Sequence, residues 1–230
     1  MTKTVTPFTV IPKAYAFFDV DDTLIAVKSM FSFQDYWYGR GREPERRKAF
    51  EMDMDRLRNE NAPWEELNSC YYSHFEGRDA AEVAKMGAEW FAVTERSRPR
   101  LYHTKVVERL RQLQADGIEP VFVSGSFPAL LAPLAERLQV RHLLCCRPEI
   151  EGGFYTGRLL PPQTIGQGKA VALLDFLKEK DIAPACCLAF GDDITDRPML
   201  EAVGHPVVVA GGRALEAFAG TAGWPVMQPR

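Results

Sequence analysis

The chain has 230 residues, long enough for a full core domain plus a modest accessory domain. A formal net charge of −3 gives no footing for nucleic acid or an anionic membrane as partner. No stretch approaches the roughly 20 apolar residues of a membrane span, and Ala14 to Val20 is too short and too acidic at its end for a secretion signal, so a soluble, cytoplasmic protein is expected.

The first predicted element is a buried strand, Tyr15 to Val20, which runs into Asp19-Val20-Asp21-Asp22-Thr23. Residues 25–99 then change character. They hold Trp37, Trp64 and Trp90, show no convincing strand, and read as helices over Met30 to Tyr38, Pro44 to Arg58, Pro63 to Phe75 and Asp79 to Thr94. Pro44 and Pro63 suit first helical turns, where a missing N–H is harmless. Arg96 to Arg100 reads as a polar hinge back to the core. The expected division is therefore a core of residues 1–24 plus 100–230 and a helical insert of residues 25–99.

After the hinge come a strand at Pro120 to Ser124, a helix at Pro128 to Gln139 and a short strand at His142 to Cys145. A hairpin follows at Glu149 to Leu160, with Gly152-Gly153 at its turn. A helix at Lys169 to Lys180 is read from Val171, Leu173, Leu174 and Leu177, and strands follow at Cys186 to Phe190 and Pro206 to Ala210. Strands alternating with helices predict an α/β fold with a doubly wound, mostly parallel sheet.

Four of the five cysteines form the adjacent pairs Cys145-Cys146 and Cys186-Cys187. Neighbours on a strand face opposite sides, so reduced, buried thiols are expected rather than a chelate or a disulfide. Arg40, Arg42, Arg46, Arg47 and Lys48, interrupted by Glu43 and Glu45, read as a solvated helix face. His74, His103, His142 and His205 show no ligand spacing and receive no role.

The chemistry concentrates at strand ends. Asp19 and Asp21 can share one side of an extended chain while Val20 points to the core, so one carboxylate can attack an electrophile and the other handle a proton. Ser124-Gly125 ends another strand and offers a hydroxyl and backbone N–H groups to a phosphate. Lys169, in Gly166-Gln167-Gly168-Lys169, opens a helix without P-loop spacing. Gly191-Asp192-Asp193-Ile194-Thr195-Asp196 puts three carboxylates within five residues, a density of hard oxygen ligands that suits Mg²⁺. In an open α/β sheet these strand ends converge where ligands bind.

Together, Asp19-x-Asp21-x-Thr23, Ser124, Lys169 and Gly191-Asp192-x3-Asp196 resemble the four motifs of the haloacid dehalogenase (HAD) superfamily. The run Gly191 to Leu200 most resembles the phosphoserine-phosphatase-like subfamily IB, and the helical insert looks like its C1 cap. The resemblance implies a HAD-like Rossmannoid core and a Mg²⁺-dependent, cytoplasmic phosphoric monoester hydrolase acting on a small phosphorylated metabolite. It assigns Asp19 as nucleophile, Asp21 as acid and base, and Asp19, Asp192 and the Asp21 backbone carbonyl as Mg²⁺ ligands. Ser124, the Gly125 N–H and Lys169 would hold the phosphate. Asp196 would assist the metal or orient Lys169, and Thr23 would support the first loop.

Phosphoserine phosphatases resemble one another in carrying a glutamate nine residues after the nucleophile, where this chain has Lys28. That departure argues against phosphoserine and for an anionic or polar group facing Lys28, unless the lysine simply faces solvent. Asp21 separates the chain from dehalogenases, which lack a carboxylate there. Phosphoryl transfer to an acceptor alcohol uses the same residues as hydrolysis. Asp19-Val20-Asp21-Asp22 and Asp192-Asp193-Ile194-Thr195-Asp196 also match the DxDD and DDxxD of terpene-processing enzymes, although those belong on helical scaffolds. A catalytically silent binding module is opposed by intact carboxylates at both motifs.

Overall fold

The computed structural model describes residues 14–40 and 43–230. Its centre is β1 (Tyr15–Phe18), four consecutive buried residues. It pairs in parallel with β2 (Glu119–Ser124) on one side and with β6 (Leu188–Gly191) on the other. With β3 (His142–Cys145), β7 (His205–Val209) and β8 (Val226–Met227), the described residues form a six-stranded parallel sheet in the order β3-β2-β1-β6-β7-β8. The chain winds outward from β1 to β3, then crosses back to resume beside β1. The carboxyl ends of β1 and β6 therefore flank the point where the winding reverses.

Strand alternation explains why both faces are covered. Ala16, Phe18, Phe122 and Phe190 join one core layer, built with α5 (Thr104–Ala115), α6 (Pro128–Leu138) and the helical insert. Tyr15, Phe17, Val121, Val123 and Ala189 join the other, against α7 (Gln167–Lys180), α8 (Arg197–Glu201) and α9 (Arg213–Ala222). This is the expected doubly wound architecture, and near-continuous apolar runs are what a sheet buried on both faces requires.

Several details differ from the sequence reading. β1 ends at Phe18, not Val20: Asp19 makes one more bond to the Phe190 carbonyl, and the Val20 carbonyl closes the turn that follows. The expected strand from Cys186 starts at Leu188, and Pro184–Cys186 forms a 3-10 turn instead. Neither cysteine pair therefore lies on one strand. All five cysteines are free, but only Cys146 and Cys187 are buried, while Cys186 is exposed. On α7 the core face is Ala170, Leu173, Phe176 and Leu177, whereas Val171 and Leu174 are exposed. α5 and α9 had no counterpart in the reading, although Val106, Val107, Leu110 and Leu113 lie at helical spacing on the buried side of α5.

Between β1 and α5 lie α1 (Ser29–Arg40), α2 (Pro44–Asn59), α3 (Trp64–Ser73) and α4 (Ala80–Ser97). Pro44 opens α2, whereas Pro63 is the residue that precedes α3. Asp79 caps α4 by accepting from the Ala81 and Glu82 N–H groups at 2.8 and 3.0 Å. Phe33, Tyr71, Tyr72, Phe75 and Trp90 form the insert's centre. α4 lies so close to α6 that a Cβ on Gly87 would sit 2.1 Å from the Ala129 carbonyl oxygen, so only glycine fits.

The hairpin of β4 (Arg147–Glu151) and β5 (Phe154–Leu160) also holds the insert. Gly77 N–H donates to the Tyr155 carbonyl and Tyr155 N–H to the Arg78 carbonyl. Arg78, which the sequence did not single out, is 4 % exposed, with its guanidinium 4.4 Å from the Trp37 ring centre and 3.3 Å from Gln34 Oε1. Arg40, Arg46 and Arg47 are exposed and pair with Glu89, Glu43 and Glu51, and Lys48 is exposed too, as a solvated face requires; Arg42 lies outside the described residues. Among the described residues no helix is long and apolar enough to cross a membrane.

Candidate active site

Asp19 follows β1 directly and its N–H donates to the Phe190 carbonyl at 2.9 Å, tying the first loop to β6. The chain then reverses at Asp22, which adopts φ 66°, and Leu24 and Ile25 N–H groups both donate to the Val20 carbonyl. This turn, rather than a continued strand, brings Asp21 to the same cavity as Asp19. Thr23 is fully buried. Its hydroxyl donates to Asp192 Oδ1 at 2.7 Å, and its carbonyl accepts from His103 Nδ1 at 3.1 Å. Thr23 thus joins the β1 and β6 loops.

Asp21 Oδ2 accepts from the N–H and hydroxyl of Ser29, both at 2.9 Å, while its Oδ1 is buried with no hydrogen-bond partner. Lys169, in the first turn of α7, places its ammonium 2.6 Å from both Asp19 Oδ1 and Asp196 Oδ1. Asp196 Oδ2 accepts in turn from the Asp192 and Asp193 N–H groups. A Cβ on Gly191 would lie 2.6 Å from that carboxylate, which accounts for glycine at the end of β6. Ser124 ends β2, and its hydroxyl oxygen accepts from the Ser126 N–H at 3.1 Å.

Asp19, Asp21, Lys28, Ser124, Gly125, Lys169, Asp192 and Asp196 thus line one cavity, although they come from five separate segments of the chain. Asp193 reaches it as well, but its Oδ1 accepts from the N–H and hydroxyl of Thr195 and so shapes its own turn. Lys28 Nζ is 3.0 Å from Asp22 Oδ2, so the cation that was expected to face a substrate group already has a carboxylate partner. Ser29, Ser126 and His103 escaped sequence reasoning: Ser29 and His103 are lone polar residues with no motif around them, and Ser126 follows the Ser124-Gly125 strand end without a motif position of its own. Asp53, Cys70 and His74, on α2 and at the end of α3, bring potential ligand atoms within 4.8 Å of one another, a grouping that their sequence spacing conceals.

Residues 16–201 match the family of haloacid dehalogenase-like hydrolases. The chain belongs to that family. A Mycobacterium tuberculosis protein named "Probable phosphatase" is 30% identical to it over 228 residues, covering 92% of this chain and 74% of the relative. Phosphoserine phosphatase SerB1 of the same organism is 26% identical, with 93% and 70% covered. A solved protein of unknown function from Bordetella pertussis Tohama I superposes with a TM-score of 0.84 at 25% identity, covering 95% of this chain and all of that one. The expected fold and enzyme class agree with these findings: this HAD member is a phosphoric monoester hydrolase.

The electrostatics of the HAD site follow from crowding anions in a buried space. Burial, then the nearby Asp19, push Asp21 up to about 7, so a protonated carboxyl is available near neutral pH. Burial and Asp19 also raise Asp192, and burial raises Asp196 against the pull of Lys169. Burial works against the charge of Lys169, yet Asp19 and Asp196 outweigh it and keep the ammonium protonated. One buried lysine thus faces an excess of carboxylates. Asp19, Asp192 and Asp196 offer oxygens within 4.8 Å of one another, an all-oxygen donor set that fits Mg²⁺. The Asp21 carboxylate is not part of that group.

Proposed function

We propose that this protein is a Mg²⁺-dependent phosphatase that hydrolyses small phosphate monoesters through an aspartyl-phosphate on Asp19. The observation that carries the reading is the contrast between the two carboxylates. Asp19 lies against an ammonium at 2.6 Å, whereas Asp21 is half-buried, raised to about 7 and has one buried oxygen free of partners. In the first half-reaction an Asp19 oxygen bonds to phosphorus, the P–O bond to the alcohol breaks, and Asp21 gives its proton to the departing oxygen. In the second, water bonds to phosphorus, Asp21 takes a water proton, and the Asp19–phosphorus bond breaks to release phosphate. Ser124, the Gly125 N–H and Lys169 hold the charge on the transferring oxygens. Mg²⁺ held by Asp19, Asp192 and the Asp21 carbonyl would supply positive charge between nucleophile and substrate. The insert of residues 25–99 acts as the cover of this site.

Phosphate release from a panel of monoesters, with Mg²⁺ and with a chelator, tests the reading. Release with Mg²⁺ that stops on chelation is expected, and metal-independent release would overturn the metal assignment. Product analysis with added alcohols separates hydrolysis from transfer to an acceptor. Asp21→Asn should bind Mg²⁺ as before yet turn over alkyl esters about 10²–10⁴-fold more slowly, the usual worth of a general acid. In kcat/KM, which reports only the steps up to the aspartyl-phosphate, its loss on p-nitrophenyl phosphate should be much smaller, because that leaving group needs no proton. Equal losses of kcat/KM on both esters would remove Asp21 from the acid role. Product analysis also separates this reading from a prenyl-phosphate or terpene-processing enzyme on the same HAD fold: free alcohol and phosphate mean hydrolysis, and a cyclic hydrocarbon means the alternative.

A further inference from the structure

We infer, resting on the phosphatase reading, that the alcohol released from the substrate carries a flat, apolar body about the size of a ring. The catalytic groups line only the floor of the cavity. Its insert-side wall is made by Met30, Phe31, Met54, Trp64, Leu67 and Tyr71, contributed by α1, α2 and α3. Three of these are aromatic rings, and two are methionines, whose flexible thioethers adapt to a ligand's outline. Trp64 is 55 % exposed at this wall, a large ring left facing solvent where a ligand could cover it.

The lysine, tyrosine and asparagine side-chain donors at the insert wall each already have a protein partner. Lys28 Nζ is held by Asp22, the Tyr71 hydroxyl donates to the Met30 carbonyl at 3.0 Å, and Asn68 Nδ2 donates to Gln163 Oε1 at 2.9 Å. Every carboxylate lining the cavity belongs to the loops after β1 and β6, so the insert wall offers none to an ammonium group. A second anionic group would meet only a lysine whose charge Asp22 has answered. An apolar ring, by contrast, asks for no polar partner on this wall and covers exposed aromatic surface.

The test compares benzyl phosphate with glycerol 3-phosphate and phosphoserine, all esters of alkyl alcohols, so that leaving-group chemistry changes little. We expect kcat/KM for the benzyl ester to be higher by about 10–100-fold, the range expected for burying a phenyl ring. Trp64→Ala should lower it at least five times more (an order-of-magnitude expectation from lost ring burial) than it lowers that for glycerol 3-phosphate. Binding is measured separately by calorimetry with benzylphosphonate and methylphosphonate in Mg²⁺, where the benzyl compound should bind tighter by a similar factor. Hydrolysis of all three esters without preference, or preference for the polar ones, overturns the inference. No hydrolysis with tighter benzylphosphonate binding would leave the pocket assignment standing and reject the phosphatase reading. No hydrolysis and equal phosphonate binding would reject both.

Discussion

Asp19→Asn should abolish turnover while leaving the fold intact. The amide is nearly the same size and keeps an oxygen toward Lys169, whose second carboxylate partner, Asp196 at 2.6 Å, is untouched. Removing one anion from a site where Asp19 raises both Asp21 and Asp192 relieves repulsion, so thermal stability should be equal or slightly higher. The amide oxygen is a far weaker nucleophile, and deleting a covalent nucleophile can cost on the order of 10⁶-fold in kcat, so activity below about 10⁻⁴ of the parent is expected. Rapid acid quench with phosphate-labelled substrate should trap hydroxylamine-sensitive label on the parent protein and none on the variant. Retained turnover with an unchanged melting temperature would move the covalent step away from Asp19, whereas a variant that fails to fold would be recognised by circular dichroism.

The floor of this site was legible because its chemistry is written locally. Asp19 and Asp21, Ser124, Lys169, and Asp192 with Asp196 each sit just past an apolar strand or in the first turn of a helix, where parallel-sheet topology gathers ligands. The strands of the sheet are apolar for the same reason: both faces are covered. What escaped were residues whose meaning depends on distant partners. Ser29 matters only because a turn at Asp22 aims Asp21 at it, and His103 only because Thr23 presents a carbonyl 80 positions away. Arg78 reads as an ordinary surface arginine until Trp37, Tyr38 and Phe75 are folded around it. Lys28 reads as facing either a substrate group or solvent; the left-handed turn at Asp22 gives it a carboxylate partner six positions back, and its side chain is 55 % exposed. α5 is a different case: Val106, Val107, Leu110 and Leu113 carry its apolar spacing, but it bears no motif.

Lys169→Met should injure both stability and catalysis, because one ammonium answers two buried carboxylates. Its side chain is 5 % exposed and those of Asp19 and Asp196 are 8 % and 1 % exposed, so neither anion can recover full hydration when the lysine is lost. Asp196 keeps two backbone N–H donors, whereas Asp19 has no side-chain donor other than Lys169 recorded among the described residues. Breaking a buried pair in this way costs about 3–5 kcal/mol, and a chain of this length loses roughly 2–4 °C of melting temperature per kcal/mol. Methionine matches the length of the lysine stem, so the loss reflects charge rather than a cavity. Catalysis should fall by about 10²–10³-fold, the scale of removing one group that stabilises transition-state charge. The decisive readout is Mg²⁺. A carboxylate cluster with one cation fewer gains more from a divalent ion, so Mg²⁺ should raise the melting temperature of the variant by more than it raises that of the parent. An equal Mg²⁺ shift in the two proteins would mean that the metal and Lys169 do not share these carboxylates, and the ligand set of Asp19 and Asp192 would have to be redrawn.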